Sequence, residues 1–185
     1  MTENDLMNEV KNGHVEKLAV LFERYHLLLY NFFLKLSGNR QNSEDLVQEV
    51  FARILKYRTT FQGEARFSVW MYKIAHNVHY DHLRKRREVY SLEDSFQEVP
   101  GLQESPSDKM EREAEAALMA KALSRLPAKK QEILILSRFH DLKYREIANL
   151  TGYPEGTIKA TVHRAIRDLA DIYGRLTKEA YGHEV

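Results

Sequence analysis

The chain has 185 residues, with 28 Lys and Arg against 27 Asp and Glu, so it can bury one or two real cores while carrying a formal net charge of only +1. No run approaches the ~20 apolar residues of a membrane span, and the N-terminus lacks the charged-then-apolar pattern of a secretory signal. Without cysteine there are no disulfides and no thiolate metal sites, which fits a cytoplasmic protein.

The small net charge conceals a strong internal pattern. Residues 1–87 hold 14 basic and 10 acidic side chains, residues 88–115 hold 2 and 9, and residues 116–185 hold 12 and 8. Two basic modules therefore flank an acidic connector, and two separate anionic contacts are the natural expectation.

Helical periodicity dominates the chain and no alternating strand pattern competes with it. Helices are expected near 3–12, 14–37, 43–57, 68–87, 108–125, 128–139, 143–150 and 154–176, with Gly13, Gly38, Gly63, Gly101 and Gly152 between them. Helix 14–37 carries Leu18, Phe22, Tyr25, Leu29, Phe32 and Leu36 on one stripe. Helix 43–57 has Asn42 and Ser43 as cap candidates, Glu44 and Asp45 in its first turn, and a core stripe of Leu46, Val47, Val50, Phe51 and Ile54. Helix 68–87 turns Met71, Ile74, Ala75 and Val78 inward, completing an all-α domain over 1–87.

The segment 88–107, "EVYSLEDSFQEVPGLQESPS", is acidic and broken by Pro100, Gly101 and Pro106, as an extended tether would be. Asp108 with Glu111 reads as a capping box opening the second domain, 108–176, and 177–185 as a tail. Pro127 and Pro154 each suit a first helical position. The expected architecture is two small helical domains on a flexible acidic linker.

Within 154–169, Ile158, Val162, Ala165, Ile166 and Leu169 share one face, and Lys159, His163 and Arg167 share another with Ala160 and Arg164 beside them. A short helix, a Gly-containing turn and a longer helix with a basic outer face make a helix-turn-helix, whose second helix enters a major groove.

Four stretches also resemble a known family. "LSRLPAKKQEILIL" and "LKYREIANLTGYPEGTIKATVHRAIRDL" resemble region 4 of bacterial sigma factors, the promoter-reading subunits of RNA polymerase. "SEDLVQEVFARIL" and "FSVWMYKIAHNVHYDHLRKRR" resemble region 2, in the right order. With only these two domains the chain is similar to the extracytoplasmic-function group. It carries Lys143 where Ser is common, Gln131 where Arg is frequent and His76 where Arg is common.

The residues and the resemblance converge on three surfaces. Asp45, Gln48 and Glu49 meet on one helix face opposite the apolar stripe, and the resemblance implies that they dock on core polymerase. Lys73, Asn77, Tyr80, Arg84 and Arg87 put rings and cations on one helix face, as single-stranded DNA requires. The resemblance implies that this helix and the loop 59–67, through Phe61, Gln62, Gly63, Glu64 and Arg66, open and read the −10 promoter element. Trp70 reads as a core anchor first and as a strand-separating wedge second. Gly156, Thr157, Lys159, Ala160, His163, Arg164 and Arg167 are the candidates for the −35 duplex, where Lys or Arg to guanine is the commonest specific contact.

A 20-residue tether reaches at most ~70 Å, about two DNA turns, so it reads both elements only when nearly straight. Partners implied by the resemblance are core polymerase, promoter DNA and an anti-sigma protein. No cofactor and no catalysis are expected: His76 and His82 are ~120° apart around their helix and do not converge on a metal. The competing reading is a stand-alone helix-turn-helix regulator, which would bind duplex DNA tightly by itself.

Overall fold

The computed structural model describes residues 1–89 and 107–181, with backbone only for residues 86–89 and 107–113. Residues 90–106 of the acidic tether, the side chains of the Asp108–Glu111 capping box and the Arg87 side chain lie outside what is described, while 88–89 and 107 are helical. Among the described residues there are helices and no strands: α1 (Glu3–Lys11), α2 (Leu18–Ser37), α3 (Arg40–Tyr57), α4 (Phe67–Val89), α5 (Ser107–Ser124), α6 (Ala128–Arg138), α7 (Tyr144–Thr151) and α8 (Glu155–Tyr181). Short 3-10 turns, Val15–Lys17 and Arg58–Thr60, precede α2 and follow α3. The helices form two regions, α1–α4 and α5–α8.

Local chemistry sets the ends of these helices. Thr2 and Asp5 form a reciprocal capping box on α1, with Asp5 N donating to the Thr2 hydroxyl at 3.1 Å and Thr2 N to the Asp5 carboxylate at 2.7 Å. α3 starts earlier than expected. Asn39 is its cap, accepting from Asn42 N at 2.9 Å, so Asn42 and Ser43 lie inside the first turn, and Glu44 and Asp45 beyond it. Ser43 is fully buried, its hydroxyl donating to Asn39 O at 2.6 Å. Pro127 and Pro154 stand one position before their helices, and their carbonyls accept the first helical N–H groups. α8 runs beyond the expected end at 176.

The α1–α4 core is built from Leu21, Leu29, Phe32 and Phe33 of α2, Val50 and Ile54 of α3, and Phe67, Met71 and Ala75 of α4. Phe67 meets Tyr25 edge-on at 5.3 Å. Phe22 departs from its expected place. It is 37% exposed, stacks on His26 and meets Phe51 edge-on. In the second region α6 is the central helix, with Gln131 through Leu136 all buried, sandwiched by α2, α7 and α8. Ile158, Val162 and Ala165 of α8 are buried as the stripe predicted, but Ile166 is 40% exposed.

One continuous apolar cluster runs through both regions. α2 packs against α5 and α6, and α4 against α7. Polar contacts stitch the same seam. Gln131 Nε2 donates to Lys35 O at 2.7 Å, and the Tyr72 hydroxyl lies 2.6 Å from His140 Nδ1. The His140 ring also meets Phe32 edge-on. Burial, followed by the nearby charge of Lys35, holds the His140 imidazole down at about 4 against an ordinary 6.5.

A histidine depressed in the folded chain leaves stability intact above the unfolded value and erodes it as pH falls toward the folded one, because only the unfolded chain takes up the proton in between. Urea midpoints should therefore fall between pH ~6.5 and ~4, and the His140→Gln variant should show a shallower fall. Parallel curves would show that His140 titrates freely.

Candidate nucleic-acid and polymerase interface

Helix α4 is the element on which the first region's candidate residues converge. Its core stripe leaves Lys73 and Asn77 exposed on a different face, with Tyr80 39% exposed at the edge. Asn77 and Tyr80 line a cleft with Arg53, Tyr57, Ile74 and Asp81. Arg53, unremarked by sequence reasoning, donates to Glu49 at 2.7 Å and to Asp81 at 2.8 Å. It ties the acidic face of α3 to the cleft face of α4, while Arg84 reaches Asp81 at 3.2 Å. Asp81 is held below the ordinary carboxylate range chiefly by the Arg53 hydrogen bond. Asp45, Gln48 and Glu49 are all exposed, as docking requires.

The loop before α4 is held from beneath. Asn4 of α1 donates to Gly63 O at 3.1 Å and to Ala65 O at 3.0 Å, and accepts from Phe67 N at 2.8 Å. Lys11 Nζ donates to Phe61 O at 2.7 Å. Gly63 has φ +75, a left-handed backbone that suits glycine. This clamp presents Gln62 and Glu64 to solvent and Arg66 at the loop's end. Phe61 is a correction: expected at the DNA, it is 1% exposed and packs edge-on against Trp70 at 5.3 Å. Trp70 is half-buried against the core, the anchor arrangement of its two readings.

The second region builds its site around a tight turn. α7 ends at Gly152, whose φ of +77 caps the helix in the left-handed region and lets the chain reverse into Pro154. Lys143 offers α7 no side-chain cap. Instead its N–H donates to the Glu146 carboxylate at 2.8 Å. On α8, Gly156, Lys159, Ala160, His163, Arg164 and Arg167 are exposed and Thr157 is half-buried. Arg164 Nε donates back to Ala160 O at 3.2 Å. Lys129 of α6 sits 3.3 Å from the centre of the Tyr153 ring, fixing the turn by a cation–π contact that sequence reasoning missed.

Two acidic side chains of the second region reach the first. Glu132 is 2% exposed, with Oε1 2.7 Å from His76 Nδ1 and Oε2 accepting from the Tyr80 hydroxyl at 3.2 Å. Burial, then the Glu132 charge and hydrogen bond, push the Tyr80 phenol up, so it stays protonated and donates. Glu146 accepts from Arg66 Nε at 3.2 Å and from Arg66 Nη2 at 2.8 Å. Burial raises the Glu146 carboxyl, but Arg66 and the Lys143 N–H outweigh it and leave it below its ordinary value. His79 is buried and its pKa lowered by that burial. Among the described residues no three His, Cys, Asp or Glu side chains cluster as metal ligands would.

The loop clamp is directly testable. Asn4→Ala removes three hydrogen bonds worth ~0.5–1.5 kcal/mol each and should speed amide exchange at Phe67 by ~10-fold or more. Unchanged exchange there would show that the loop is held by its own packing.

With this geometry in hand, the comparisons with known proteins align closely. The family models for sigma-70 region 2 and sigma-70 region 4 match residues 21–89 and 116–169, in that order. The sigma factor RpoE of Cereibacter sphaeroides is 30% identical, the match covering 87% of this chain and 89% of that protein. The sigma factor YlaC of Bacillus subtilis is 27% identical, with 84% and 91% covered. The fold is that of the sigma factor RpoE of Bartonella quintana, solved with the anti-sigma factor NepR, at a TM-score of 0.71 and 24% identity over 85% of this chain and 96% of that one. CnrH, solved with the cytosolic domain of CnrY, gives a TM-score of 0.70 at 17% identity, covering 94% and 97%. The chain belongs to the extracytoplasmic-function group of the sigma-70 family, the subunits that direct RNA polymerase to promoters.

Proposed function

We propose that this sigma factor divides its work among three surfaces. Asp45, Gln48 and Glu49 dock on core polymerase. The 62–66 loop and α4, through Arg66, Lys73, Asn77, Tyr80 and Arg84 with Trp70 as their support, capture the unpaired −10 strand. The exposed face of α8, from Gly156 and Thr157 through Lys159, Ala160, His163, Arg164 and Arg167, reads the −35 duplex.

The observation that carries this reading is the division of α8. Ile158, Val162 and Ala165 are buried while every basic side chain of the stripe stands exposed beyond the left-handed turn at Gly152. Such a helix offers cations and hydrogen-bond donors to a groove without disturbing its own core. The −10 assignment rests on the cleft in which Asn77 and Tyr80 meet Tyr57 and Arg53, a mix of rings, an amide and a cation suited to an unpaired base.

The protein acts in the cytoplasm, where the polymerase is; no described helix is long and apolar enough to cross a membrane. An anti-sigma protein is its natural antagonist, since RpoE of Bartonella quintana was solved with the anti-sigma factor NepR. The domain limits proposed are 1–87 and 108–176.

In vitro transcription with core polymerase on a promoter library tests the reading, with start sites sequenced. The wild-type chain should direct initiation at a defined −35/−10 pair. Lys159→Ala and Arg164→Ala should each cost ~1–3 kcal/mol of −35 discrimination if the side chain reads a base, and lower the salt slope of binding by ~1 if it holds a phosphate. Asp45→Ala with Glu49→Ala should weaken assembly with core. A chain that shifts promoter duplex tightly by itself, and gains nothing from core polymerase, would be the stand-alone regulator instead.

A further inference from the structure

Helix α1 lies ahead of the stretch that matches sigma-70 region 2, which begins at residue 21, yet four of its hydrogen bonds end on the loop assigned to the −10 strand. Asn4, Asn8 and Lys11 recur at i, i+4 and i+7, a polar stripe beside the buried Leu6, Met7 and Val10. Asn4 donates to Gly63 O and Ala65 O and accepts from Phe67 N, while Lys11 donates to Phe61 O. Each of these bonds ends on main chain, at residues 61, 63, 65 and 67 in alternation. The side chains between them, Gln62, Glu64 and Arg66, are all exposed. An amide, a carboxylate and a guanidinium together offer donors and acceptors to base edges. A slip of one residue would present Phe61, Gly63 and Ala65 instead and turn the three polar groups inward.

We propose that α1 is a specificity determinant: Asn4 and Lys11 are positioning residues that fix which side chains of the 61–67 loop meet the unpaired −10 bases. This role rests on the assignment of that loop to the −10 strand.

Main-chain anchoring suits the task. A recognition site keeps its groups within ~0.5 Å of the working geometry only when packing and hydrogen bonds lock them. Phe61 and Phe67 are buried and pin the ends of the loop, and α1 supplies anchors between them. Gly63, at φ +75, carries the chain over Asn8, whose Oδ1 would lie 3.8 Å from a Cβ placed there. The helix is itself a fixed reference, closed by the Thr2–Asp5 capping box and seated on its apolar side. The chemistry at Asn4 is exacting. Its amide donates to two carbonyls and accepts from an N–H, a combination that neither aspartate nor alanine reproduces.

Holoenzyme assembled from the full chain and core polymerase, run on promoters with each −10 position randomised in turn, measures base preference position by position. Gln62→Ala and Glu64→Ala identify the positions read by the loop, and Asn77→Ala those read by α4. Asn4→Ala and Lys11→Met should each relax preference at the loop positions by ~3-fold or more, out of the ~10-fold that a base contact carries. Preference at the α4 positions and at the −35 element, and affinity for core polymerase, should stay as in the wild type. Asn4→Asp keeps only the acceptor and should behave as Asn4→Ala does. Lys11→Arg keeps the donor and should restore the preference lost in Lys11→Met.

Undiminished preference at the loop positions in Asn4→Ala and Lys11→Met overturns the role of α1. So does a loss spread evenly over the loop, α4 and −35 positions, which marks a chain that is merely destabilised. The outcomes also separate α1 from the loop it holds. If Gln62→Ala and Glu64→Ala relax defined −10 positions while the α1 variants relax none, α1 alone fails and the loop assignment stands. If Gln62→Ala and Glu64→Ala change no −10 position, the loop assignment fails and the role of α1 falls with it.

Discussion

The buried carboxylate of Glu132 is the contact on which the arrangement of this molecule turns. It comes from the middle of α6, a helix buried on nearly all sides, and both its oxygens are satisfied by side chains of α4. A carboxylate so deeply placed is costly without partners, so it fixes the register of one helical region on the other more strictly than apolar contact alone. The apolar part of the seam supplies adhesion. Glu132, with Gln131 on Lys35 O and Tyr72 on His140, supplies directional contacts that apolar packing lacks.

That alignment asks α4 to serve three neighbours at once, and its 3.6-residue period makes this possible. Phe67, Met71, Ile74, Ala75 and Val78 form a stripe buried against the first region's core. Tyr72, His76 and Tyr80 lie roughly a third to half a turn away and meet the second region. Lys73, Asn77 and Arg84 fall on the remaining third and stay exposed. Tyr80 lies between the last two stripes, bonded to Glu132 yet lining the cleft with Asn77. Helix α3 is tied into the same system by Arg53, which joins the exposed acidic face at Glu49 to Asp81 on α4.

The all-helical fold was legible because each helix carries its own period. The core stripe of α4 and the split face of α8 follow from side-chain spacing alone, and both were found. Phe22 and Ile166 were misplaced because a stripe wide enough to hold them includes edge positions, and only the neighbouring helices decide which edge is covered. The start of α3 was missed because Asn39 and Ser43 both carry capping chemistry, and the hydrogen bond from Asn42 N chooses between them. Phe61 was read as a loop aromatic at the DNA, whereas a ring so apolar beside Phe67 and Trp70 gains more from burial. Asn4, Glu132 and Glu146 had no signal of their own. Their partners lie 59, 56 and 80 residues away, and nothing in the local sequence marks a polar residue as one half of a distant pair.

The second region shows opposite charge on its two working faces, and this gives the closed arrangement an asymmetry. Glu132 and Glu146 point toward the first region, while Lys159, His163, Arg164 and Arg167 of α8 point to solvent. Carboxylates therefore sit at the seam in the same arrangement that leaves the basic face of α8 bare. The basic face of α8 is reached without any rearrangement of the seam, because the helix buries only Ile158, Val162, Ala165 and their neighbours. Tyr80 and Arg66 of the first region, by contrast, are already bonded to acceptors of the second. The polar groups of the two regions thus differ in availability: those on the outer face of α8 meet solvent, whereas Tyr80 and Arg66 are shared with the seam.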